Sequence, residues 1–169
     1  LSGVNLSQAD LASANMRRVT LESANLSEAF LQEVQLQEAN LEKCDLRGAN
    51  LYRARMSEVD LRKALLRGAN LSEVNLDGAD MRGANLFNVT AVNSTFAWAD
   101  LRNASLSRGD FNRSNFSDAK MDDVNLFDSA MVGTLLVATS LKRADLRGVD
   151  FNRADIRGTN FQDANMKQV

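Results

Sequence analysis

The chain has 169 residues with 22 acidic and 20 basic side chains, which gives a net charge of −2. Because both signs are interspersed, this balance argues against a general polyanion binder and against a strongly acidic surface. There is no His, no Pro and one Cys, so imidazole chemistry, His-based metal sites and an internal disulfide are excluded.

A large apolar residue, here called the centre, recurs at every fifth position along the whole chain. The series begins at Leu1 and Leu6 and reaches Phe161 and Met166. Ala91 is the only centre that is not Leu, Met, Phe or Ile. The register never slips, which indicates a single internal repeat rather than separate domains.

A small residue lies two positions before each centre, from Val4 and Ala9 to Ala164 and Val169. Every member of this small column is Ala, Val, Cys, Gly, Ser or Thr. The other three positions of each unit are mostly polar, so the centres and the small column must face one interior. Cys44 fills a slot of this column, which predicts a buried and inert thiol.

A period of five matches neither the 3.6 of a helix nor the 2 of a strand, so the chain must turn a corner in every unit. If four corners close one coil, the coil has about 20 residues and stacks on the next coil, as in other solenoids. Stacking at about 4.8 Å, the spacing of paired strands, gives about eight coils and a rod of roughly 40 Å.

The units resemble those of the pentapeptide-repeat family, whose pattern is A(D/N)LXX. Residues 39–43, 49–53 and 69–73 each begin Ala-Asn-Leu, and the pattern covers the whole chain. The resemblance implies an all-β fold, a right-handed quadrilateral β-helix with the centres packed along its axis. We expect one domain over residues 1–169. Leu1 already occupies a core slot, so we also expect the chain to be a segment of a longer polypeptide.

Two further expectations concern packing and corners. Because Ala91 is a small centre directly before Phe96, the phenyl ring should fill part of the space, with a cavity as the alternative. Asn or Asp usually precedes the centre, which suits a corner because these side chains bind nearby backbone. The departures from this preference are Thr20, Phe30, Gln35, Arg55, Leu65, Thr90, Thr95, Ser105, Lys120, Ala130, Leu135 and Ser140.

A basic stripe is the first candidate site. Stacking residues 20 apart aligns three arginines on one side, with further cations beside them; the members are Lys43, Arg47, Arg62, Lys63, Arg67, Arg82 and Arg102. Like charges about 4.8 Å apart are destabilising unless they are neutralised. The stripe therefore predicts either a site for an acidic partner or phosphate backbone, or arginines paired with nearby Asp and Glu.

An apolar patch is the second candidate. Slots that normally point outward hold apolar residues in two coils on the same two sides, at Val92, Ala97, Trp98, Ala130, Val132, Leu135 and Val137. Phe87 and Phe127 lie on an adjoining side. Contiguous exposed apolar area with a Trp anchor is typical of a protein interface. The alternatives are isolated apolar residues and a segment folded over the rod.

These features predict a non-catalytic protein-interaction or scaffold module that presents flat faces to an unidentified protein partner. No nucleophile has a partner base, so no enzyme, cofactor or metal is expected. A nucleic acid partner is disfavoured by the net charge of −2. A membrane span is not expected, since no apolar run approaches the roughly 18 residues of a membrane helix. The uncapped ends suggest self-association. A cytoplasmic setting is favoured, with a secreted effector as the alternative.

The alternative function follows the quinolone-resistance branch of the family, whose rods mimic DNA and bind DNA gyrase. That role implies a strongly acidic surface, from which this chain departs by its balanced charge and its arginines.

Overall fold

The computed structural model describes residues 1–167, and Val169 of the small column lies outside them. Within this range the backbone forms neither helices nor multi-residue strands. It forms single-residue parallel bridges, each between residues 20 apart, from Asn5 with Asn25 to Asp145 with Asn165. Because this offset never changes, four five-residue units make one coil, and the predicted four-sided solenoid is confirmed.

Each unit turns by a tight turn that begins at its centre. The carbonyl oxygen of Leu21, for example, accepts a hydrogen bond from the backbone N of Ala24 at 3.0 Å. In the turns from Leu1 to Phe161 the third residue always has a positive φ, between 55° and 71°. This combination defines a type II turn, which reverses the chain sharply enough to place a corner in every unit.

Backbone hydrogen bonds join neighbouring coils along the whole rod. Leu6 N donates to Asn25 O at 2.7 Å, Gln8 N donates to Ser27 O at 2.9 Å, and Asn25 N donates to Val4 O at 2.9 Å. The same three bonds recur along the rod, so the predicted pairing of amides between coils is confirmed.

The rod has four sides, which we number by the centres of their turns. The first side contains centres 1, 21 and 41 and every twentieth residue onward, the second begins at 6, the third at 11 and the fourth at 16. Residues at the same place in successive coils of one side therefore lie above one another. The outward positions are the residue before each centre and the two residues after it.

The core is one continuous cluster along the axis. It consists of centres and small-column residues from Leu21 to Val149, nearly all of them fully buried. Fully burying one Leu stabilises the fold by about 1.5–3 kcal/mol, so this stack is the main source of stability. At the two ends the same slots are open to solvent, with Leu1 at 70% and Met166 at 43% exposure.

Three phenylalanines form an aromatic cluster in the middle of the core. The rings of Phe96 and Phe116 stack with centroids 4.6 Å apart and an interplanar angle of 1°. Phe111 meets both rings edge-on, at 6.2 Å and 5.7 Å. Phe96, the next centre after Ala91, is fully buried. That its ring fills the space left at Ala91 stays a prediction.

Buried hydroxyl groups in the small column all find carbonyl partners. Ser94 Oγ donates to Leu71 O at 2.6 Å and Thr139 Oγ1 donates to Phe116 O at 2.7 Å, each a little more than one coil back. Ser114 differs because its Oγ donates to Ala91 O at 2.6 Å and accepts from Ser94 N at 3.0 Å. This hydroxyl therefore bridges the one turn whose centre is Ala91.

Candidate interaction surfaces

The side chain before each centre fixes the corner that follows it. Asn40 Oδ1 accepts a hydrogen bond from the backbone N of Glu42 at 3.0 Å, and Asn85 Oδ1 accepts from Phe87 N at 3.0 Å. The predicted corner role of Asn and Asp is therefore confirmed. The two residues after the centre are left to project outward, and they carry the candidate surfaces.

Trp98 is the most exposed aromatic side chain in residues 1–167, at 66% exposure. It lies on the fourth side as the third residue of its turn, with φ at 59°. Its stacking neighbours are Gly78, which has no side chain, and Asp118. The indole is therefore open to solvent along one edge of the rod.

The other members of the predicted apolar patch are less exposed. Leu135 is exposed at 44%, whereas Val92, Val132, Val137 and Ala130 are half-buried. Ala97 was expected to point outward, but it is only 4% exposed. Its short methyl group lies between the longer Asp77 and Ser117 at the same place in the neighbouring coils, so it adds nothing to the exposed area.

A polar coil separates the two apolar groups. Asn112 and Ser117 occupy the places between residues 92 and 132 and between residues 97 and 137. Asn112 Oδ1 accepts from Val132 N at 2.7 Å and lines a shallow groove together with Val92 and Val132. The apolar groups therefore flank a polar groove instead of forming one continuous patch.

Ion pairs line the stripe of arginines on the first side. Each of Arg62, Arg82 and Arg102 donates from Nη2 to the aspartate two residues before it, at 2.6 Å in all three cases. The aspartate and the arginine flank one centre, so the turn itself brings the two side chains together. The same pairing is seen at Asp45 with Arg47, Asp145 with Arg147 and Asp155 with Arg157.

These pairs also connect the coils. Arg62 Nη2 lies 2.9 Å from Glu42 of the preceding coil, and its Nε lies 3.9 Å from Asp80 of the next coil. Arg82 Nε is likewise 3.9 Å from Asp100. Opposite charges therefore alternate along the first side, which is the neutralised arrangement that the sequence left open.

The pKa values of the paired aspartates are shifted by these contacts. The hydrogen bond from Arg62 holds the pKa of the Asp60 carboxyl below its usual value, against the opposing effect of partial burial. The hydrogen bond from Arg47 does the same to the pKa of Asp45. Lys43 pairs with Glu42 at 3.0 Å and more distantly with Glu22 at 3.8 Å.

Two members of the predicted stripe behave differently. Lys63 and Arg67 form no ion pair within the described part of the chain. Arg67 lies on the second side, where its guanidinium is 5.4 Å from the ring centroid of Phe87. The sequence predicts that Arg67 belongs to the stripe, but it does not predict the contact with Phe87. The signal for this difference is Leu65, which stands where Asn or Asp usually precedes the centre.

Cys44 is buried as predicted, and burial raises the pKa of its thiol to about 11. A thiol that stays protonated at neutral pH is a poor nucleophile. Residues 1–167 contain no cluster of three or more Cys, Asp or Glu side chains that is arranged to hold a metal ion. Over the same residues, no helix is both long and apolar enough to cross a membrane.

Fold and surface together define a four-sided β-solenoid built from five-residue units. The family model of pentapeptide repeats matches the chain in 8 copies, over residues 1–34, 31–68, 54–90, 64–97, 94–129 and 131–169. The chain therefore belongs to the pentapeptide-repeat family, and its β-helix is right-handed, as in solved relatives.

Two solved structures are similar over nearly the whole chain. HetL is a pentapeptide repeat protein involved in heterocyst differentiation regulation in the cyanobacterium Nostoc sp. strain PCC 7120. It is 29% identical, with a TM-score of 0.67 over 98% of this chain and 84% of its own. A trypsin-treated form of QnrB1, a plasmid-mediated fluoroquinolone resistance protein, is 18% identical, with a TM-score of 0.59 over 98% of this chain and 88% of its own. No curated protein matches the sequence.

Proposed function

We propose that the chain is a non-catalytic protein-interaction module whose principal contact is Trp98. The observation that carries this proposal is the 66% exposure of a large aromatic side chain, together with the exposed Leu135 on the same side of the rod. The positive φ of Trp98 is shared by the third residues of the other turns and does not distinguish this site. Exposed apolar area with an aromatic anchor is typical of a protein interface.

The surroundings of Trp98 fit an interface. Large aromatic residues provide much of the binding energy at protein contacts. Leu135, Val132 and Val137 lie two coils away, about 10 Å along the rod. A partner that spans both coils would bury these apolar groups and would bind the polar groove at Asn112 between them.

A regulatory role of this kind is compatible with HetL, which is involved in regulating heterocyst differentiation. An enzymatic role lacks support, because a core filled by packed centres leaves no deep cleft along the axis and the one thiol stays protonated. DNA mimicry and gyrase binding are not favoured, because opposite charges alternate on the first side instead of forming an acidic surface.

The test is affinity capture with matched variants. Trp98→Asn with Leu135→Ser removes the two most exposed apolar side chains of the surface, and Asn tolerates the positive φ. Arg153→Asn is the control, since Arg153 is exposed and occupies the same turn position on another side.

A protein that binds the wild type and the control should be lost from the double variant, and its purified form should show the same loss in a direct titration. An identical set of captured proteins for all three forms would contradict the proposal. Inhibition or protection of gyrase in a supercoiling assay would instead support the gyrase alternative.

A further inference from the structure

Four aromatic rings lie in the two positions after a centre, outside the core. Three of them have a guanidinium of this chain near the ring centroid; the pairs are Tyr52 with Arg53 at 4.8 Å, Phe87 with Arg67 at 5.4 Å and Phe127 with Arg147 at 5.3 Å. The fourth ring is Trp98, and within residues 1–167 no cation of the chain lies on it. Because tryptophan attracts a cation more strongly than other aromatic side chains, the ring best suited to a cation is the one that lacks it.

The contact at Tyr52 shows how such a ring is completed. The guanidinium of Arg53 lies on the Tyr52 ring, and its Nε donates to Glu73 Oε2 at 2.7 Å. Glu73 is the residue one coil after Arg53, at the same place in its turn. The third side therefore contains a full example of a ring, a guanidinium and a carboxylate of the next coil in mutual contact.

Trp98 has a carboxylate in the next coil but no guanidinium. Asp118 lies one coil after Trp98, at the same place in its turn and about 4.8 Å further along the rod. Asp118 is exposed, and it forms no ion pair with any residue that the structure describes. The ring itself is 66% exposed, compared with 36% for Phe127 beneath its arginine. Ring and carboxylate are thus both accessible to a cation from outside the chain.

A second carboxylate lies on the other side of Trp98. Gly78, one coil before Trp98, has no side chain, and Glu58 extends over it from the coil before that. Glu58 Cγ lies 3.4 Å from the position that a Cβ on Gly78 would occupy. Glu58 is exposed and has no ion-pair partner in the described part of the chain. Its side chain therefore reaches the coil next to Trp98, so that carboxylates flank the indole in both directions along the rod.

The charge around Trp98 has one sign. The units of the fourth side at residues 75–79, 95–99 and 115–119 contain two charged side chains, Asp77 and Asp118. Asp77 Oδ1 accepts a hydrogen bond from Ala97 N at 3.0 Å, which holds this carboxylate against the turn of Trp98. A negative surface attracts a basic segment and repels the phosphates of a nucleic acid.

We propose that Trp98 and Asp118 bind an arginine side chain of a basic segment in the partner protein. Its guanidinium lies on the indole and donates to Asp118, with Glu58 as the second carboxylate. An arginine suits the site better than a lysine, because a planar guanidinium stacks on a ring and donates to a carboxylate at the same time, as Arg53 does. The proposal rests on the protein-binding role of Trp98 and adds the chemistry of the partner.

The experiment is a fluorescence titration of the full chain with the blocked peptide acetyl-Gly-Arg-Gly-amide at constant ionic strength. Trp98 is the only tryptophan, so its emission reports on this site alone. The emission should change with saturation at a Kd of about 10 mM or tighter, as expected for one cation–π contact and one exposed ion pair. The same peptide with citrulline in place of arginine keeps the shape without the charge and should cause no saturable change.

Matched variants test the carboxylates. Asp118→Asn should weaken peptide binding about threefold or more, and Glu58→Gln about twofold or more. Asp128→Asn is the control, because it removes the same charge from an exposed residue at the same turn position of the second side. The φ of Asp128 is 59° and that of Asp118 is 60°, so the two substitutions place Asn in the same backbone conformation. The control should bind the peptide as the wild type does.

A third substitution supplies the missing guanidinium within the chain. Side chains at this turn position extend toward the following coil, as Glu58 does over Gly78 and as Arg53 does toward Glu73. Gly78→Arg should therefore cover the indole of Trp98 and abolish peptide binding. Non-glycine residues with a positive φ occupy this position in most turns of the rod, so the substitution is compatible with the fold.

Failure of this proposal and failure of the protein-binding role give different results. A captured protein that is lost from the Trp98→Asn and Leu135→Ser double variant, but that binds Asp118→Asn and Asp128→Asn equally, would leave the interface standing and overturn the arginine contact. An identical set of captured proteins for all these forms would remove the protein-binding role itself.

The titration has its own decisive outcomes. No saturable change up to 50 mM peptide, about fivefold above the expected Kd, would overturn the proposal, as would equal binding of the arginine and citrulline peptides or equal affinities of Asp118→Asn and the wild type. Dimerisation of the wild type that Trp98→Asn abolishes would overturn it in favour of a second copy of this chain.

Discussion

Gly109 provides the space that the ring of Phe111 occupies. A Cβ added to Gly109 would lie 2.4 Å from Cε2 and 2.8 Å from Cζ of Phe111. Gly109 is the only glycine of the small column, and its φ lies outside the left-handed region. It is needed for space and not for backbone freedom, because the ring folds back over it to meet Phe96 and Phe116.

We therefore predict that Gly109→Ala lowers the free energy of unfolding by about 1–3 kcal/mol through overpacking. In a Phe111→Leu background the same change should cost much less, since the clashing ring atoms are absent. Urea unfolding of the four proteins of this double-mutant cycle measures the coupling. Equal costs in the two backgrounds would contradict the steric explanation.

Ala91 offers a test of the packing around Phe96. If the aromatic cluster fills the space left by the small centre, Ala91→Leu should destabilise the protein by about 1–3 kcal/mol. An increase in the free energy of unfolding would instead mean that a cavity lies there. Thermal and urea unfolding distinguish the two results, with Ala91→Gly as a variant that should destabilise in either case because it removes a buried methyl group and increases the entropy of the unfolded chain.

The Ser114 hydroxyl replaces a backbone hydrogen bond of the turn at Ala91. Ser114→Ala should cost about 1–3 kcal/mol because Ser94 N loses its partner in a buried position. Ser129→Ala is the matched control. Ser129 Oγ also donates to a turn carbonyl, Leu126 O. In that turn, however, the usual backbone hydrogen bond from Ser129 N to Leu126 O is present at 3.1 Å, so no backbone N depends on the hydroxyl. A cost at Ser129 equal to that at Ser114 would contradict the bridging role.

The Asp60–Arg62 pair predicts a pH dependence. The hydrogen bond from Arg62 lowers the pKa of Asp60 in the folded state, so the unfolded chain, with a pKa of about 3.9, binds the proton more tightly. This stabilisation is complete above the unfolded pKa and is lost as the pH falls through the folded pKa. Asp60→Asn should therefore be less stable than wild type at pH 7, by up to about 1 kcal/mol.

The difference between the two proteins should shrink as the pH falls below about 4 and should disappear below the folded-state pKa of Asp60, where this carboxyl is protonated in both states of the wild type. Asn is a suitable replacement because Asn40 and Asn70 bind the following turn in the same way. Urea unfolding at several pH values measures the effect, and a difference that grows at low pH would contradict it.

The positive φ of Trp98 predicts that one substitution has opposite effects on stability and on binding. Trp98→Asn should leave the free energy of unfolding unchanged or raise it by up to about 1 kcal/mol, since Asn adopts a positive φ more readily. The same change should abolish partner capture if Trp98 is the anchor. A large loss of stability would show that the indole packs on the rod and would weaken its role as an exposed contact.

The fold could be predicted from the sequence because the centres recur without interruption from Leu1 to Met166. Period and side-chain size were sufficient for the core and the burial of Cys44, whereas the four sides of the coil and its handedness followed from the resemblance to the pentapeptide-repeat family. The space that Gly109 leaves for a ring was not predictable, since Gly and Ala look alike in the small column. It depends on where the ring of Phe111 points, which a repeat pattern does not determine.

The candidate surfaces were predictable only in part. The residues of the basic stripe align as expected, but their neutralisation depends on the turn that brings Asp80 to Arg82. The exception at Leu65 and Arg67 can be identified only once that pairing is known. The apolar residues around Trp98 were found from their position in the unit, whereas the burial of Ala97 and the polar groove at Asn112 depend on side-chain length in adjacent coils.

The constant offset of 20 residues between bridged partners has a consequence for how the rod opens. Each coil contacts only the coil before it and the coil after it, so unfolding can begin at either end and proceed one coil at a time. Amide hydrogen exchange should therefore be slowest in the middle, around the aromatic cluster, and progressively faster toward Leu1 and Met166. Trp98 lies in this slowly exchanging middle, so a partner bound there would meet a backbone that is already ordered.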